Sequence, residues 1–188
     1  MQPSELRPQN HRTTELIVAL DVPQVADAFK VVDELAGLPV LFKVGSELFV
    51  HAGPEFVREL VHRKQRIFLD LKFHDIPNTV AKAVKQAALL HIEMLTVHVA
   101  GGSAMVKAIR KELEEIPALS PKILGISVLT SFDDVRWAEV TRALTGHAVT
   151  IEDSVRGLVD SAAHWGRSEE HTSELQSHHD LVCRLLLE

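Results

Sequence analysis

The chain has 188 residues, of which 46% are hydrophobic and 24% charged, so it can bury a core and has the composition of an ordinary globular protein. Its formal net charge of −6 and the lack of a run of Lys and Arg argue against binding to nucleic acid. Its single cysteine excludes an internal disulfide, and no apolar run approaches the ~18 residues of a membrane span. We therefore expect one soluble, cytoplasmic protein that binds neither nucleic acid nor membranes.

Short apolar runs typical of β-strands alternate along the chain with longer stretches of helical periodicity. The runs are almost continuously apolar, as expected of strands buried on both faces of a parallel sheet. The predicted strands are ELIVALD (15–21), PVLFKVG (39–45), RIFLDLK (66–72), MLTVHVA (94–100) and KILGISVLT (122–130). Apolar residues at i, i+3, i+4 and i+7 predict helices over 24–37, 53–65, 76–91, 101–115 and 154–166.

This alternation, with short connections, predicts right-handed crossovers and an all-parallel sheet. A doubly wound nucleotide-binding fold would need a glycine-rich turn after the first strand, and ALDVPQ contains no glycine. The pattern therefore favours a (β/α)8 TIM barrel of the α/β class. Because such a barrel typically takes about 250 residues, we expect an incomplete one with about five βα units.

The periodicity is lost after residue 166, in RSEEHTSELQSHHDLVCRLLLE (167–188). The start of this segment resembles the in-frame translation of a common sequencing-library adapter. We interpret residues 1–13 as a polar extension, 14–166 as a partial barrel domain, and 167–188 as an artefactual, unstructured or irregular tail on a C-terminally truncated gene product.

The tail also contains a His/Cys cluster, formed by His171, His178, His179 and Cys183. It is either a metal site or sequence without a selected function. Its spacing fits no standard zinc pattern, so we expect no metal site.

Polar residues collect at the predicted carboxyl ends of the strands, where barrel enzymes carry their active sites. They are Asp21, Lys43, Asp70, Lys72, His98, Ser127 and Thr130. Residues i and i+2 of a strand share a face, so Asp70 and Lys72 should both point into the barrel. Lys43 ends the neighbouring strand and Asp75 follows in the loop, so the four charges can alternate in sign.

Such charges can be ordinary ion pairs, and for a lone Asp-x-Lys that interpretation would be preferred. Burying four ionised groups costs several kcal/mol per ion before pairing compensates. Because stability alone would be better served by apolar residues, the convergence of several strand ends favours a functional site.

The strings ALDV, FKVGSELF, LDLKFHDIPNTV, TVHVAGG and SVLTS, in that order over about residues 14–166, resemble the bacterial orotidine 5′-phosphate decarboxylases. The resemblance implies a TIM-barrel homodimer with sites at the subunit interface. It also implies a cofactor-free decarboxylation of orotidine 5′-phosphate to UMP in pyrimidine biosynthesis.

The resemblance further implies catalytic roles for four charged residues. Lys72 would protonate C6 of the pyrimidine, and Asp70 would lie close to the departing carboxylate. Lys43 would support the charge network, and Asp75 would reach into the partner subunit's site.

Substrate-binding roles are implied in the same way. Asp21 and Lys43 would hold the ribose hydroxyls, Ile76 and Thr79 would reach the partner subunit's site, and Thr130 would contact the base or its surroundings. No metal or cofactor is expected.

The roles of two histidines, His74 and His98, are less clearly indicated by the sequence. His98 could orient the substrate or could be a packed histidine that donates to a backbone carbonyl. His74 is interpreted as loop or interface structure.

The family's phosphate-binding segment, after strands six to eight, has no counterpart in this sequence. Since remote binding energy is used for catalysis at the reacting ring, we expect an unstable and poorly active polypeptide. Unpaired edges at the first and fifth strands should also favour aggregation.

Two other functions remain as alternatives. One is a magnesium-dependent relative, of the 3-keto-gulonate phosphate decarboxylase or hexulose phosphate synthase type. That type resembles this chain in its Asp-x-Lys strand but carries a glutamate metal ligand where this sequence has Lys43. The other is a non-catalytic βα fragment whose strand-end charges only pair with one another.

Overall fold

The computed structural model describes residues 16–165 and the backbone of residues 184–187. The strands are β1 (Leu16–Ala19), β2 (Val40–Gly45), β3 (Arg66–Phe73), β4 (Met94–His98), β5 (Lys122–Ile126) and β6 (Arg184–Leu187). The helices are α1 (Val25–Glu34), α2 (Ser46–His62), α3 (Pro77–Ala88), α4 (Gly102–Glu114), α5 (Asp134–Thr145) and α6 (Ile151–Trp165). Within these ranges, no helix combines the length and apolarity needed to cross a membrane.

The five predicted strands form one parallel sheet in chain order, β1 to β5. A helix follows each of the first four strands, so the connections are βαβ crossovers as predicted. The central strands are buried on both faces, with Phe42, Phe68 and Leu69 each at 0% exposure. The α/β class and the partial (β/α)8 architecture are confirmed.

The far edge of β5 is covered by β6, which pairs antiparallel from Ile123 opposite Leu187 to Ile126 opposite Arg184. The expectation of an irregular tail is therefore wrong for these four residues, and β5 is not an unpaired edge. A strand edge presents free N–H and C=O groups that a short apolar segment can pair with. Outside the described residues lie the N-terminal extension (1–13) and the rest of the segment 167–188, which includes the histidine and cysteine cluster. The domain boundaries stay a prediction.

Two helices differ from the predicted pattern. Helix α2 begins at Ser46 rather than at residue 53, and it is kinked at Gly53, where φ is 69°, just before Pro54. Proline removes a helical N–H and disfavours helical backbone in the residue before it, which explains the break. Helix α5 was not predicted, although Asp133 caps its start by accepting from the Arg136 N–H, and Gly146 ends it in the left-handed conformation.

A β-bulge interrupts β3 near its carboxyl end. The pairing with β4 passes from Leu69 opposite Leu95 directly to Phe73 opposite Val97, so β3 takes four steps where β4 takes two. Within this bulge Lys72 has a φ of 51°, in the left-handed region that non-glycine residues rarely adopt. The strand is therefore irregular at the lysine that the sequence selected as reactive.

Candidate active site

Two lysine–aspartate ion pairs lie at the carboxyl ends of β1, β2 and β3. Lys72 Nζ is 3.0 Å from Asp70 Oδ2, and Lys43 Nζ is 2.9 Å from Asp21 Oδ1. All four residues were selected from the sequence. The strand-end position is the mouth at which TIM-barrel enzymes carry out their chemistry.

The first pair joins a buried carboxylate to a partly exposed ammonium group. The Asp70 side chain is 4% exposed and the Lys72 side chain 34% exposed. A buried carboxylate needs an opposite charge or hydrogen-bond donors to offset its desolvation. Asp70 therefore holds the Lys72 ammonium group in place, and the lysine side chain remains partly accessible to solvent.

The second donor to Asp70 is Thr96, in the middle of β4. Its Oγ1 donates to Asp70 Oδ1 at 2.9 Å and accepts from the Lys72 backbone N–H at 2.8 Å. Thr96 is fully buried. This hydroxyl was missed in the sequence, although a threonine in the middle of the otherwise apolar start of MLTVHVA was the signal that could have found it.

The second pair lies across β1 and β2. Lys43 is 17% exposed and Asp21, in the loop after β1, is 67% exposed. A side chain added at Gly45 would place its Cβ 3.6 Å from Lys43 Nζ and 3.7 Å from Asp21 Oδ1. These are ordinary van der Waals distances, so Gly45 lies against the pair without a small side chain there being excluded.

The strand register relates the two pairs. Gly45 is the partner of Asp70 across β2 and β3, and neighbouring strands lie about 4.8 Å apart. The Lys43 ammonium, which reaches up to Gly45, thus lies at the level of Asp70. The convergence expected from the sequence takes the form of two ion pairs side by side.

Asp75 is not joined to these pairs by a salt bridge within residues 16–165. It is exposed, and its Oδ1 accepts from the Ile76 backbone N–H at 2.6 Å. Ile76 and Thr79 are also exposed, Ile76 to 67%. The fourth member of the predicted alternating network therefore faces outward at the start of α3.

The two polar residues expected after the fifth strand separate in the structure. Ser127 directly follows β5 and is buried, whereas Thr130 is exposed in a turn. Thr130 is thus at the correct end of the barrel, and its contact with a substrate base stays a prediction.

His74 and His98 form a ring contact beside Lys72, with centroids 5.3 Å apart and planes tilted by 38°. Burial lowers the pKa of His98 below its ordinary value of 6.5, and the nearby His74 and Lys72 lower it further. In the described part of the chain His98 makes this contact rather than a hydrogen bond to a backbone carbonyl.

Among residues 16–165, no group of three or more His, Cys, Asp or Glu side chains is arranged to hold a metal ion. The cation that pairs with Asp21 is the side chain of Lys43.

The chain was compared with known proteins. Residues 14–181 match the family model described as Orotidine 5'-phosphate decarboxylase / HUMPS family. The orotidine 5′-phosphate decarboxylase of Legionella pneumophila strain Corby is 48% identical over 128 residues, which cover 68% of this chain and 56% of that protein. The Vibrio cholerae O395 enzyme of the same name is 40% identical over 164 residues, which cover 84% of this chain and 71% of that protein.

A solved structure agrees with these sequence matches. The crystal structure of orotidine 5′-phosphate decarboxylase from Lactobacillus acidophilus aligns with a TM-score of 0.69 at 36% identity, over 80% of this chain and 67% of that one. The chain spans little more than half the length of the Legionella relative. The extent of the family match shows that this chain belongs to the orotidine 5′-phosphate decarboxylase / HUMPS family.

Proposed function

We propose that the site at the mouth of β1, β2 and β3 decarboxylates orotidine 5′-phosphate to UMP without a cofactor, as a step of pyrimidine biosynthesis. The observation that carries this proposal is the Lys72 ammonium group, held 3.0 Å from the buried Asp70 carboxylate with the Lys43–Asp21 pair beside it. The names of the Legionella, Vibrio and Lactobacillus relatives support the choice of reaction.

The chemistry requires a cation beside C6 of the pyrimidine. When the bond from C6 to the carboxylate breaks, CO2 leaves and the electron pair stays on C6, where the ring cannot delocalise it. A preorganised ammonium group stabilises that carbanion. Two unit charges about 4 Å apart at an effective dielectric of 20 interact by roughly 4 kcal/mol, or about three decades of rate.

Lys72 then completes the reaction as the proton donor. Its ammonium group transfers a proton to C6, which gives UMP, and the neutral amine regains a proton from water. Asp70 would face the substrate carboxylate, and their repulsion is relieved as CO2 leaves. Both roles depend on the ammonium group being open to the mouth, which the partial exposure of Lys72 supports.

The remaining residues bind the substrate and complete the site. Asp21 and Lys43 hold ribose hydroxyls, and Thr130 contacts the base. Asp75, Ile76 and Thr79 act in the site of a second subunit of a cytoplasmic homodimer. Their exposure in the single chain supports this assignment, because it leaves all three side chains accessible to a second subunit.

The test is whether the purified 188-residue chain forms UMP from orotidine 5′-phosphate. The reaction is monitored by the release of CO2 from substrate labelled in its carboxylate. We expect UMP formation above the uncatalysed rate, and its loss in Lys72→Ala. Lys82→Ala is the matched control, because Lys82 is an exposed lysine on α3. UMP formation that is equal in wild type and Lys72→Ala would contradict the proposal.

The same assay separates the two alternative functions. A magnesium-dependent relative would lose its activity on addition of EDTA and regain it with Mg²⁺. A non-catalytic βα fragment would change only its unfolding free energy when Lys72 is replaced.

A further inference from the structure

The bulge of β3 lies beside a buried threonine of β4, Thr96. The register shift between Leu69 and Phe73 displaces Lys72 from the regular ladder, and the Lys72 backbone takes a left-handed φ of 51°. Such a conformation costs free energy in a residue with a side chain, and it persists only where the surroundings hold it. A contact that holds this backbone must therefore exist.

Thr96 supplies that contact. Its hydroxyl oxygen accepts from the Lys72 N–H at 2.8 Å, and its hydroxyl hydrogen goes to Asp70 Oδ1 at 2.9 Å. A hydroxyl has one hydrogen to donate, so the donation to Asp70 and the acceptance from Lys72 together fix its orientation.

The contacts close into a ring of hydrogen bonds. The Lys72 backbone binds Thr96, Thr96 binds Asp70 Oδ1, and Asp70 Oδ2 binds Lys72 Nζ at 3.0 Å. Thr96 is fully buried and Asp70 nearly so, so water does not compete for the bond between these two side chains. Thr96 on the neighbouring strand therefore binds the Lys72 backbone directly and the Lys72 ammonium group through Asp70.

We propose that Thr96 is a positioning residue for the reaction: its hydroxyl holds the bulge of Lys72 and the Asp70 carboxylate so that the ammonium group meets C6 of the substrate. This role rests on the proposed decarboxylation. Thr96 acts through Lys72 and Asp70 and makes no contact with the substrate itself.

Two substitutions of Thr96 distinguish the effect of losing its hydroxyl from the effect of changing the shape of its side chain. Thr96→Val keeps the branched shape and removes both hydrogen bonds, whereas Thr96→Ser keeps the hydroxyl. Thr141→Val is a matched control. Thr141 is a buried threonine on α5 whose hydroxyl donates to the Trp137 backbone carbonyl and, like that of Thr96, accepts from a backbone N–H, here that of Val149.

Two measurements on the 188-residue chain test the proposal: hydrogen exchange at the Lys72 amide, and kcat and KM for decarboxylation. In Thr96→Val we expect the Lys72 amide to lose its protection and kcat to fall by about 10–100-fold with little change in KM, because small misplacement of a reacting group is costly. Thr96→Ser should retain both properties within a few-fold. Thr141→Val should lose protection at Val149 alone and keep kcat.

The proposal is overturned if Thr96→Val keeps the Lys72 amide protected or keeps the wild-type kcat, or if Thr96→Ser loses as much as Thr96→Val. If the wild-type chain forms no UMP, the proposed function fails. The exchange of the Lys72 amide in the two Thr96 variants then decides by itself whether Thr96 holds this backbone.

Discussion

Lys72 Nζ lies 3.0 Å from Asp70 Oδ2, and the two residues belong to the same strand, two positions apart. Both residues lie where the register of β3 shifts against β4, and the pair combines a buried carboxylate with a lysine side chain that is 34% exposed. A regular strand would hold both side chains in the same pleated surface. The bulge lets the lysine turn toward the mouth while its charge partner stays in the core.

Asp70→Asn removes the charge of this carboxylate and keeps its shape. We expect decarboxylation to fall by about 10²–10³-fold, the magnitude typical of losing a preorganised electrostatic contact. Asp160→Asn, at an exposed position of α6, is the control and should leave kcat unchanged. Steady-state kinetics on both variants provide the measurement, and a kcat for Asp70→Asn within about threefold of wild type would argue against an electrostatic role.

Lys43→Met removes the ammonium group that pairs with Asp21 and keeps most of the apolar stem. Because Asp21 is two-thirds exposed, we expect the free energy of unfolding to change by only about 0–1 kcal/mol. The KM for orotidine 5′-phosphate should rise at least tenfold, since the proposed contact with the ribose is lost.

The control for Lys43 is Lys30→Met, which breaks the exposed Lys30–Asp27 pair on α1. It should leave both KM and stability unchanged. Equal KM values for the two variants would exclude Lys43 from substrate binding.

Mixing subunits tests whether Asp75 acts in a partner's site. Lys72→Ala and Asp75→Ala should each be inactive alone. In a dimer of one chain of each kind, one site would keep both wild-type residues, so random exchange of equal amounts should restore about a quarter of the wild-type activity. Activity that stays at the level of the separate variants after exchange would place Asp75 in the site of its own chain.

His98 should make stability depend on pH. Burial lowers the pKa of His98 in the folded chain, with further lowering by His74 and Lys72. As the pH falls through the ordinary histidine range near 6.5, the unfolded chain binds a proton there that the folded chain does not. The free energy of unfolding should therefore decrease as the pH falls. The decrease stops below the pKa of His98 in the folded chain, where both states are protonated.

Urea unfolding between about pH 7.5 and about pH 5.5 measures this effect. The wild type should lose more stability over that range than His98→Gln does. His51→Gln, at an exposed position on α2, should behave like the wild type. An identical pH dependence for wild type and His98→Gln would show that His98 does not contribute.

Local sequence patterns were sufficient for the order of β1 to β5 and of the helices α1 to α4 between them, and for the end of the sheet that carries the charges. An apolar run indicates a buried strand, and a polar residue at the end of that run is expected at the carboxyl end of the strand. Both expectations depend only on the periodicity within a single element. The selection of Asp21, Lys43, Asp70 and Lys72 followed from this reasoning and from the resemblance to a known family. Helix α5 was missed, although its capping residues Asp133 and Gly146 were visible in the sequence.

The tertiary structure alone decided how Lys43 pairs. The meeting of Asp70 with Lys72 followed from their i, i+2 spacing on one strand. Lys43 binds Asp21, 22 positions away along the chain, because the register of β1 and β2 brings the two strand ends together. The roles of Thr96, the left-handed Lys72 backbone and the β6 strand on the edge of β5 likewise depend on contacts between residues distant along the chain. Composition and periodicity act within one element, whereas the Lys43–Asp21 pair, the bulge of β3 and the pairing of β6 with β5 form only where two elements meet.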